Sequence, residues 1–325
     1  MSSDLVVVFG GSGFIGKQVV RALAKSGYRV RIAMRRPHLG HELRVMGDVG
    51  QIQLMQANVR YPDSIDAALE EADAVVNLVA VLYENGKQNF EALHVEAAQA
   101  IAQAAAKRGI KRIVHFSALG AAPKGASYAR TKYRGERAVL EAAPTATIMR
   151  PSIVFGPEDH FFNRFAQMAT TMPLLPLIGG GATKFQPVFV GDVADAVVAA
   201  LGRPEARGHI YELGGPSTYS FRQLMAYITT EIDRPRPLAP LPFFLAHPLG
   251  LLLNWGFKLI PFADPPITGD QVTLLKRDNV VGLDTNTGTI QDLGVTQLES
   301  VEAIVPGYLW RFRPYGQFQT RQNPA

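Results

Sequence analysis

Short apolar runs alternate with amphipathic helical patterns through the first half of the chain. That is the layout of a parallel sheet whose strands are joined by crossover helices. Leu5-Val-Val-Val-Phe9 is apolar at every position, as expected of a strand buried on both faces. Phe14–Lys25 then places Ile15, Val19 and Leu23 on one helical face. Strand patterns recur at Tyr28–Met34, Ile52–Gln56, Ala74–Val79, Arg112–Ser117 and Ala146–Arg150, with helices at about Asn89–Lys107 and about Tyr128–Ala142. Six such units predict an α/β fold built on a doubly wound parallel sheet, with its ligand at the carboxyl ends of the strands. Beyond Arg150 the pattern loosens. Gln186–Val190 reads as a further strand, Gly191–Val197 opens a helix with Asp192 as its N-cap, and Gly179-Gly-Gly181 reads as a turn. A core is therefore expected at 1–157 plus about 186–202, and a smaller C-terminal lobe at 158–185 and about 203–325.

Composition narrows the function. The 325 residues include no cysteine, which removes disulfides, thiolate metal sites and cysteine nucleophiles. His94, His115 and His160 are too scattered for a metal site, so packing is the expected role of each and no metal is expected. The net charge of +5 suits an anionic cofactor, anionic lipid or acidic partner. The basic residues form no arm and no nucleic-acid-binding motif, so no nucleic acid is expected as a partner. The first residues carry neither a signal-peptide pattern nor an Arg-rich presequence. A cytoplasmic protein, or an organellar one already trimmed, is the expectation.

The loop after the first strand reads Gly10-Gly-Ser-Gly13-Phe14-Ile15-Gly16, with glycines three apart. Gly10 permits a tight turn, Gly13 lets backbone N–H groups approach a pyrophosphate, and Gly16 allows close helix packing. A buried strand precedes the loop and an amphipathic helix follows, the context a dinucleotide site of the Rossmann type requires. Gly10, Gly13, Phe14, Ile15 and Gly16 are the candidate pyrophosphate-binding residues. About twenty residues on, an NAD-specific site offers an acidic side chain to the ribose 2′-hydroxyl. This chain offers Arg35 and Arg36 instead, which favours the 2′-phosphate of NADPH. Asn58 and Val59, after the third strand, are expected beside the adenine.

Ser117 closes the fifth strand, and Tyr128 and Lys132 share one face of the following helix. An ammonium there would lower the phenol's pKa, and Tyr128 could pass a proton to or from a carbonyl oxygen, with Ser117 orienting the carbonyl and Lys132 on the ribose. Tyr83 and Lys87 show the same spacing, but in a turn-like segment. The competing reading of the Tyr128/Lys132 pair is a site that grips the ribose and performs no chemistry.

These motifs, with Arg150-Pro-Ser-Ile-Val-Phe-Gly156 and Val188–Val193, resemble the extended and atypical short-chain dehydrogenases. The run Arg150–His160, then Phe162-Asn-Arg-Phe165, Lys184-Phe-Gln-Pro-Val188 and Thr268–Val280, resembles the short-chain-dehydrogenase-like accessory subunit of respiratory complex I, across nearly the whole chain. That resemblance implies a tightly held NADPH, with Pro151 among its contacts. It also implies attachment to complex I near the junction of the peripheral and membrane arms, and a structural role with little or no turnover. Location would be peripheral, on the cytoplasmic face of the inner membrane or on the matrix side of a mitochondrion. Two other readings stand beside it: a free NADPH-dependent reductase or isomerase acting on a carbonyl, quinone or sugar nucleotide, and a scaffold that reports cofactor redox state to a partner.

The most hydrophobic stretch is Leu241–Phe262. Pro248 and Gly250 split it, and the run before Pro261 is too short to span a bilayer, which takes about twenty residues. It either packs within its own lobe or docks on a membrane or hydrophobic subunit, with Lys258, Lys276 and Arg277 near anionic headgroups along 241–277.

The arginine pair gives a direct test of cofactor choice. Arg35→Ala should weaken NADPH binding about tenfold or more, the worth of one charge-assisted hydrogen bond. NADH binding should change little. Equal weakening of both, by fluorescence titration, would remove Arg35 as the reader of the phosphate.

Overall fold

The computed structural model describes residues 4–84, 86, 88–248, 269–284 and 286–318. They form two compact units. The first comprises Met1–Ser152, Val190–Gly214 and Val281–Gln297; the second comprises Ile153–Phe189, Gly215–Val280 and Leu298–Ala325.

The first unit is built on strands β1 (Leu5–Phe9), β2 (Arg29–Met34), β3 (Ile52–Gln56), β4 (Ala74–Asn77), β5 (Arg112–Phe116) and β6 (Thr147–Pro151). All pair in parallel. The sheet is larger than the six strands expected. Ile210–Leu213 and Gly288–Thr289, placed by sequence in the smaller lobe, extend it beyond β6 to eight strands. The first was hidden because its pattern contains Glu212, a buried charge that lies opposite Arg150 in the register. The second is only two residues long.

Strand order reverses between β1 and β4, which are neighbours in the sheet though far apart in sequence. Crevices in doubly wound sheets open at such a reversal. Helices α1 (Phe14–Lys25), α2 (Pro62–Ala68), α3 (Ala97–Lys107) and α4 (Ser127–Ala142) carry the crossovers. Val7, Phe9, Val75 and Ile113 point to one face, against Ala98, Ile101, Ala102 and Ala105 of α3 and Val139 of α4. The alanines keep α3 thin, so α4 lies close beside it.

The helix expected from about Asn89 does not begin as a regular one. Glu91–Glu96 is a π-helical turn that leads into α3. Gly135 of α4 crosses this turn so closely that a Cβ on it would overlap His94 O. A one-turn widening of this kind redirects the side chains it carries, here Phe90 and His94.

The second unit packs α5 (Phe162–Thr171) and α7 (Phe221–Glu231) around Phe155, Phe162, Phe221, Leu224 and Ile228, with Tyr308 and Leu309. The single strand expected at 186–190 is two short ones. Lys184–Phe185 pairs antiparallel with Tyr219–Ser220, and Val188–Phe189 pairs in parallel with Val154–Phe155. Pro187 has no N–H for a continuous ladder and separates them. Asp192 is not an N-cap. Helix α6 (Val190–Gly202), part of the first unit, begins at Val190, and Asp192 lies buried in its first turn. Gly179–Gly181 forms a short 3₁₀ turn with Gly180 at φ +69°. Most of the apolar stretch at 241–262 lies outside the described residues, as do Lys258, Lys87 and Thr268.

Replacing Gly135 tests the close helix crossing. Gly135→Ala should destabilise by ~1–3 kcal/mol through overpacking. Gly202→Ala, at the end of α6 with nothing within 4 Å of the added methyl, should be neutral or stabilising by up to ~1 kcal/mol. Urea titrations that place both variants at the same midpoint would refute the crossing.

Candidate functional site

Because every strand of the large sheet runs the same way, all carboxyl ends lie along one edge. The loops there carry the candidate residues: Gly10–Gly16 after β1, Arg35 and Arg36 after β2, Asn58 and Val59 after β3, Ser117 after β5 and Pro151 closing β6.

The glycines divide by cause. Gly10 has φ +83°, and a Cβ there would meet Leu78 C at 3.1 Å. A Cβ on Gly16 would overlap Gly10 O, and one on Gly11 would meet Ile32 Cγ2 at 2.9 Å. Packing within the protein therefore demands these three. Gly16 brings α1 against the loop itself rather than against the strand. Gly13 is different. It is exposed and extended, and an added Cβ would make only an ordinary contact, 3.4 Å from Gly10 O. It is the N-cap of α1, which has no side-chain cap and no acidic residue in its first turn. The first amides of α1, at Phe14 and Ile15, have no carbonyl one turn back to bond, and the helix dipole makes this end attractive to an anion.

Arg35 and Arg36 are exposed, and their guanidiniums have no hydrogen-bond or ion-pair partner among the described residues. Asn58 is tied locally: its N–H donates to Ser64 Oγ at 2.8 Å, and its Oδ1 accepts from Arg60 N at 3.2 Å. Arg60 adds a third guanidinium past β3, with Nε 3.5 Å from Asn58 Oδ1. The sequence reading passed over it, although it stands two residues after Asn58.

Beneath this rim lies a dry polar layer. Lys132 is 2% exposed, and its Nζ donates to Phe116 O at 3.0 Å. Burial disfavours the ammonium and lowers its pKa to about 8, even with Glu136 acting to hold it charged. Val79 N–H donates to Asn77 Oδ1 at 3.1 Å, which orients the amide so that Nδ2 donates to His115 Nδ1 at 3.2 Å. His115 therefore carries its proton on Nε2. That N–H and Ser117 Oγ are both fully enclosed and have no partner among the described residues. Val81 N–H donates to His94 Nε2 at 3.2 Å, so His94 Nδ1 carries the proton and donates to Thr131 Oγ1 at 3.1 Å. Burial, and then the Lys132 charge, lower His94 to about pKa 2 and His115 to about 3. Both rings are neutral and structural. Among the described residues no group of side chains could hold a metal.

Tyr128 stands over this layer. Its ring meets His94 edge-on at 5.4 Å and Phe90 edge-on at 5.8 Å, and Phe90 and His94 stack at 5.1 Å. The ring keeps some exposure, yet its surroundings are those of an interior site, and burial pushes the phenol up to about pKa 12. The expected lowering by Lys132 does not occur: burial is the cause of the shift, and it acts upward.

One turn beyond Lys132, Glu136 forms a two-pronged pair with Arg150, with Nε–Oε1 at 2.8 Å and Nη2–Oε2 at 2.7 Å. Asp284 lies 3.5 Å from the same guanidinium. Glu212 accepts from Gly282 N–H at 2.9 Å, and burial raises its pKa.

A model of the NAD dependent epimerase/dehydratase family matches residues 6–214. The chain is 37% identical over 302 residues to the mitochondrial NADH dehydrogenase (ubiquinone) 1 alpha subcomplex subunit 9 of Arabidopsis thaliana, covering 90% of this chain and 74% of that one. It is 36% identical to the same subunit of Mus musculus, covering 94% and 80%. The crystal structure of gox2253 superposes with a TM-score of 0.71 at 22% identity, covering 98% of this chain and all of that one, and so shares the fold.

The two neutral histidines set a pH dependence. Unfolded, each takes up a proton near its ordinary pKa of 6.5; folded, neither does until about pH 3 or below. Stability present at neutral pH should therefore fall as pH drops below 6.5, by roughly 1.4 kcal/mol per pH unit per histidine. Urea titrations between pH 7 and 4.5 should show His115→Gln losing about half of that slope. An unchanged slope would mean that the His115 ring is charged in the folded protein.

Proposed function

The chain belongs to the NAD dependent epimerase/dehydratase family, in the branch that holds subunit 9 of the mitochondrial NADH dehydrogenase alpha subcomplex, and we propose that it is a nucleotide-bound accessory subunit of respiratory complex I. Its cofactor is NADPH. The residues fit such a group: the loop around Gly13 leaves amide donors open at the start of α1, where a pyrophosphate would be received. Arg35 and Arg36, unpartnered past β2, would hold the 2′-phosphate, with Asn58 and Val59 toward the adenine and Tyr128, Lys132 and Pro151 toward the nicotinamide half. A bound nicotinamide would supply a hydride-transfer centre.

The observation that carries the non-catalytic role is the state of Tyr128. A phenol pushed up to about pKa 12 by burial is held as a hydrogen-bond donor and is poorly suited to exchange protons near neutrality. Ser117 Oγ is enclosed rather than open to a substrate. Tyr128 serves well as a clamp, because its ring is held by Phe90 and His94 and loses little freedom on meeting a ligand. The association would be peripheral, near the junction of the two arms: among the described residues no helix is long and apolar enough to cross a membrane. The +5 charge favours an anionic surface or an acidic partner.

Native membranes extracted in mild detergent and separated by size supply the test, with NADH:quinone oxidoreductase activity followed alongside this protein. It should migrate with the large complex and carry NADPH. Lys132→Met should lower nucleotide occupancy, while Tyr128→Phe should leave assembly intact with no turnover to lose. Migration only as a small species, together with NADPH oxidation by a carbonyl or quinone that Tyr128→Phe abolishes, would replace this reading with a free reductase.

A further inference from the structure

The second compact unit contains a recess that the cofactor reading does not use. It lies where the end of α5, the turn after α7 and the 3₁₀ turn Trp310–Phe312 come together. Its volume is about 480 Å³, and Gln167, Thr170, Arg234, Arg311, Phe312 and Arg313 line it. That is within the ~300–1,000 Å³ typical of small-molecule sites.

Three guanidiniums converge there, and their charges are treated unequally. Arg313 is neutralised: it forms an ion pair with the buried carboxylate of Glu231 and donates from Nε to Glu231 O at 2.9 Å. Arg234 and Arg311 have no carboxylate partner among the described residues. Both are nevertheless held firmly by neutral acceptors. Arg234 donates from Nε to Phe312 O at 2.9 Å, which leaves its terminal fork free. Arg311 donates from Nη2 to Asn163 Oδ1 at 2.5 Å and lies over the Phe312 ring at 5.0 Å.

Asn163 is itself fixed. It is 9% exposed, and its Nδ2 donates to Pro157 O and Asp159 O at 3.1 and 3.0 Å, so its oxygen is turned toward Arg311. The buried carboxylate of Asp159 is occupied by Tyr308 and by the amides of Phe161, Asn163 and Gly156. Glu231 is thus taken up by Arg313, and Asp159 by its own donors. Two pre-positioned cations remain beside a Gln–Thr pair.

We propose that this recess binds a phosphate-bearing anion, with Arg234 and Arg311 as its two guanidinium contacts and Gln167 and Thr170 at its rim. Planar guanidinium forks match phosphate oxygens two at a time, and ones already held in place lose little entropy on binding. The volume accommodates a phosphate ester rather than a bare ion. Its source is either a soluble phosphate compound or an anionic lipid headgroup, and the two are separable by experiment.

The full-length protein is titrated calorimetrically with inorganic pyrophosphate. In parallel it is floated with phosphatidylcholine vesicles made with and without phosphatidic acid. The variants are Arg234→Gln with Arg311→Gln, and Gln167→Glu. The last substitutes an isosteric carboxylate at an exposed helix position, so it places a negative charge in the recess without depending on any buried contact.

Binding of pyrophosphate that falls about tenfold or more in both variants, with melting temperature unchanged, would establish the site and a soluble source. Flotation that needs phosphatidic acid and is lost in both variants would establish a lipid source. Absence of binding to either probe, or equal binding in Gln167→Glu, would overturn the proposal. Gln167 belongs to the second unit and the glycine loop to the first. Pyrophosphate taken up by that loop would therefore appear equally in all proteins, and failure of the cofactor reading leaves this test intact.

Discussion

The hydrogen bond from Lys132 Nζ to Phe116 O places a positive charge inside the first unit, and much of its carboxyl-end chemistry is arranged around that charge. It joins α4 to the end of β5. It helps keep His94 and His115 neutral, which in turn settles their tautomers and the hydrogen bonds they make. One turn along the helix, Glu136 faces Arg150 on β6, and Glu212 and Asp284 follow. Charges alternate across α4, the sheet and the segment after residue 280, so α4 is fastened at two points one turn apart. A buried ammonium is costly by itself; here the nearby carboxylate and the carbonyl at the strand end offset part of that cost.

The layer built this way is better suited to holding than to reacting. Ser117 Oγ and His115 Nε2–H are enclosed without partners among the described residues, Tyr128 is kept protonated, and the aromatic rings of Phe90 and His94 shield the phenol. A Tyr/Lys pair at this spacing can serve as a rigid grip once its surroundings are buried. Nothing in the pair's spacing distinguishes the two uses; the difference lies in the solvation around it.

That is also where the sequence was legible and where it was not. β1 to β6 could be read because short, largely apolar runs recur between helical patterns, β1 being apolar at every position. The glycine loop could be read because its strand and helix flank it. Yet the triplet pattern passed over Gly11, whose need is contact with Ile32, a residue on another strand. The strand at 210–213 was missed because Glu212 breaks its pattern and is tolerated through the Gly282 N–H and the charge of Arg150, one seventy positions later and the other sixty-two positions earlier in the numbering. The π-helical turn at Glu91–Glu96 has no local signal at all, since its observed packing involves Gly135 on a different helix. Local chemistry was readable; whatever depended on a distant partner was not.

The two-residue strand Gly288–Thr289 is a minor element by length, but its position in the order of synthesis gives it weight. Residues 214–287 must follow the strand Ile210–Leu213 out of the ribosome before the central sheet can receive its last strand. Until then the edge of Ile210–Leu213 is bare, with its backbone donors and acceptors open to any extended chain nearby. The nascent protein thus passes through a long interval in which its nucleotide loop is already made and its sheet is still unfinished. A dinucleotide captured early would act as a folding template for the first half.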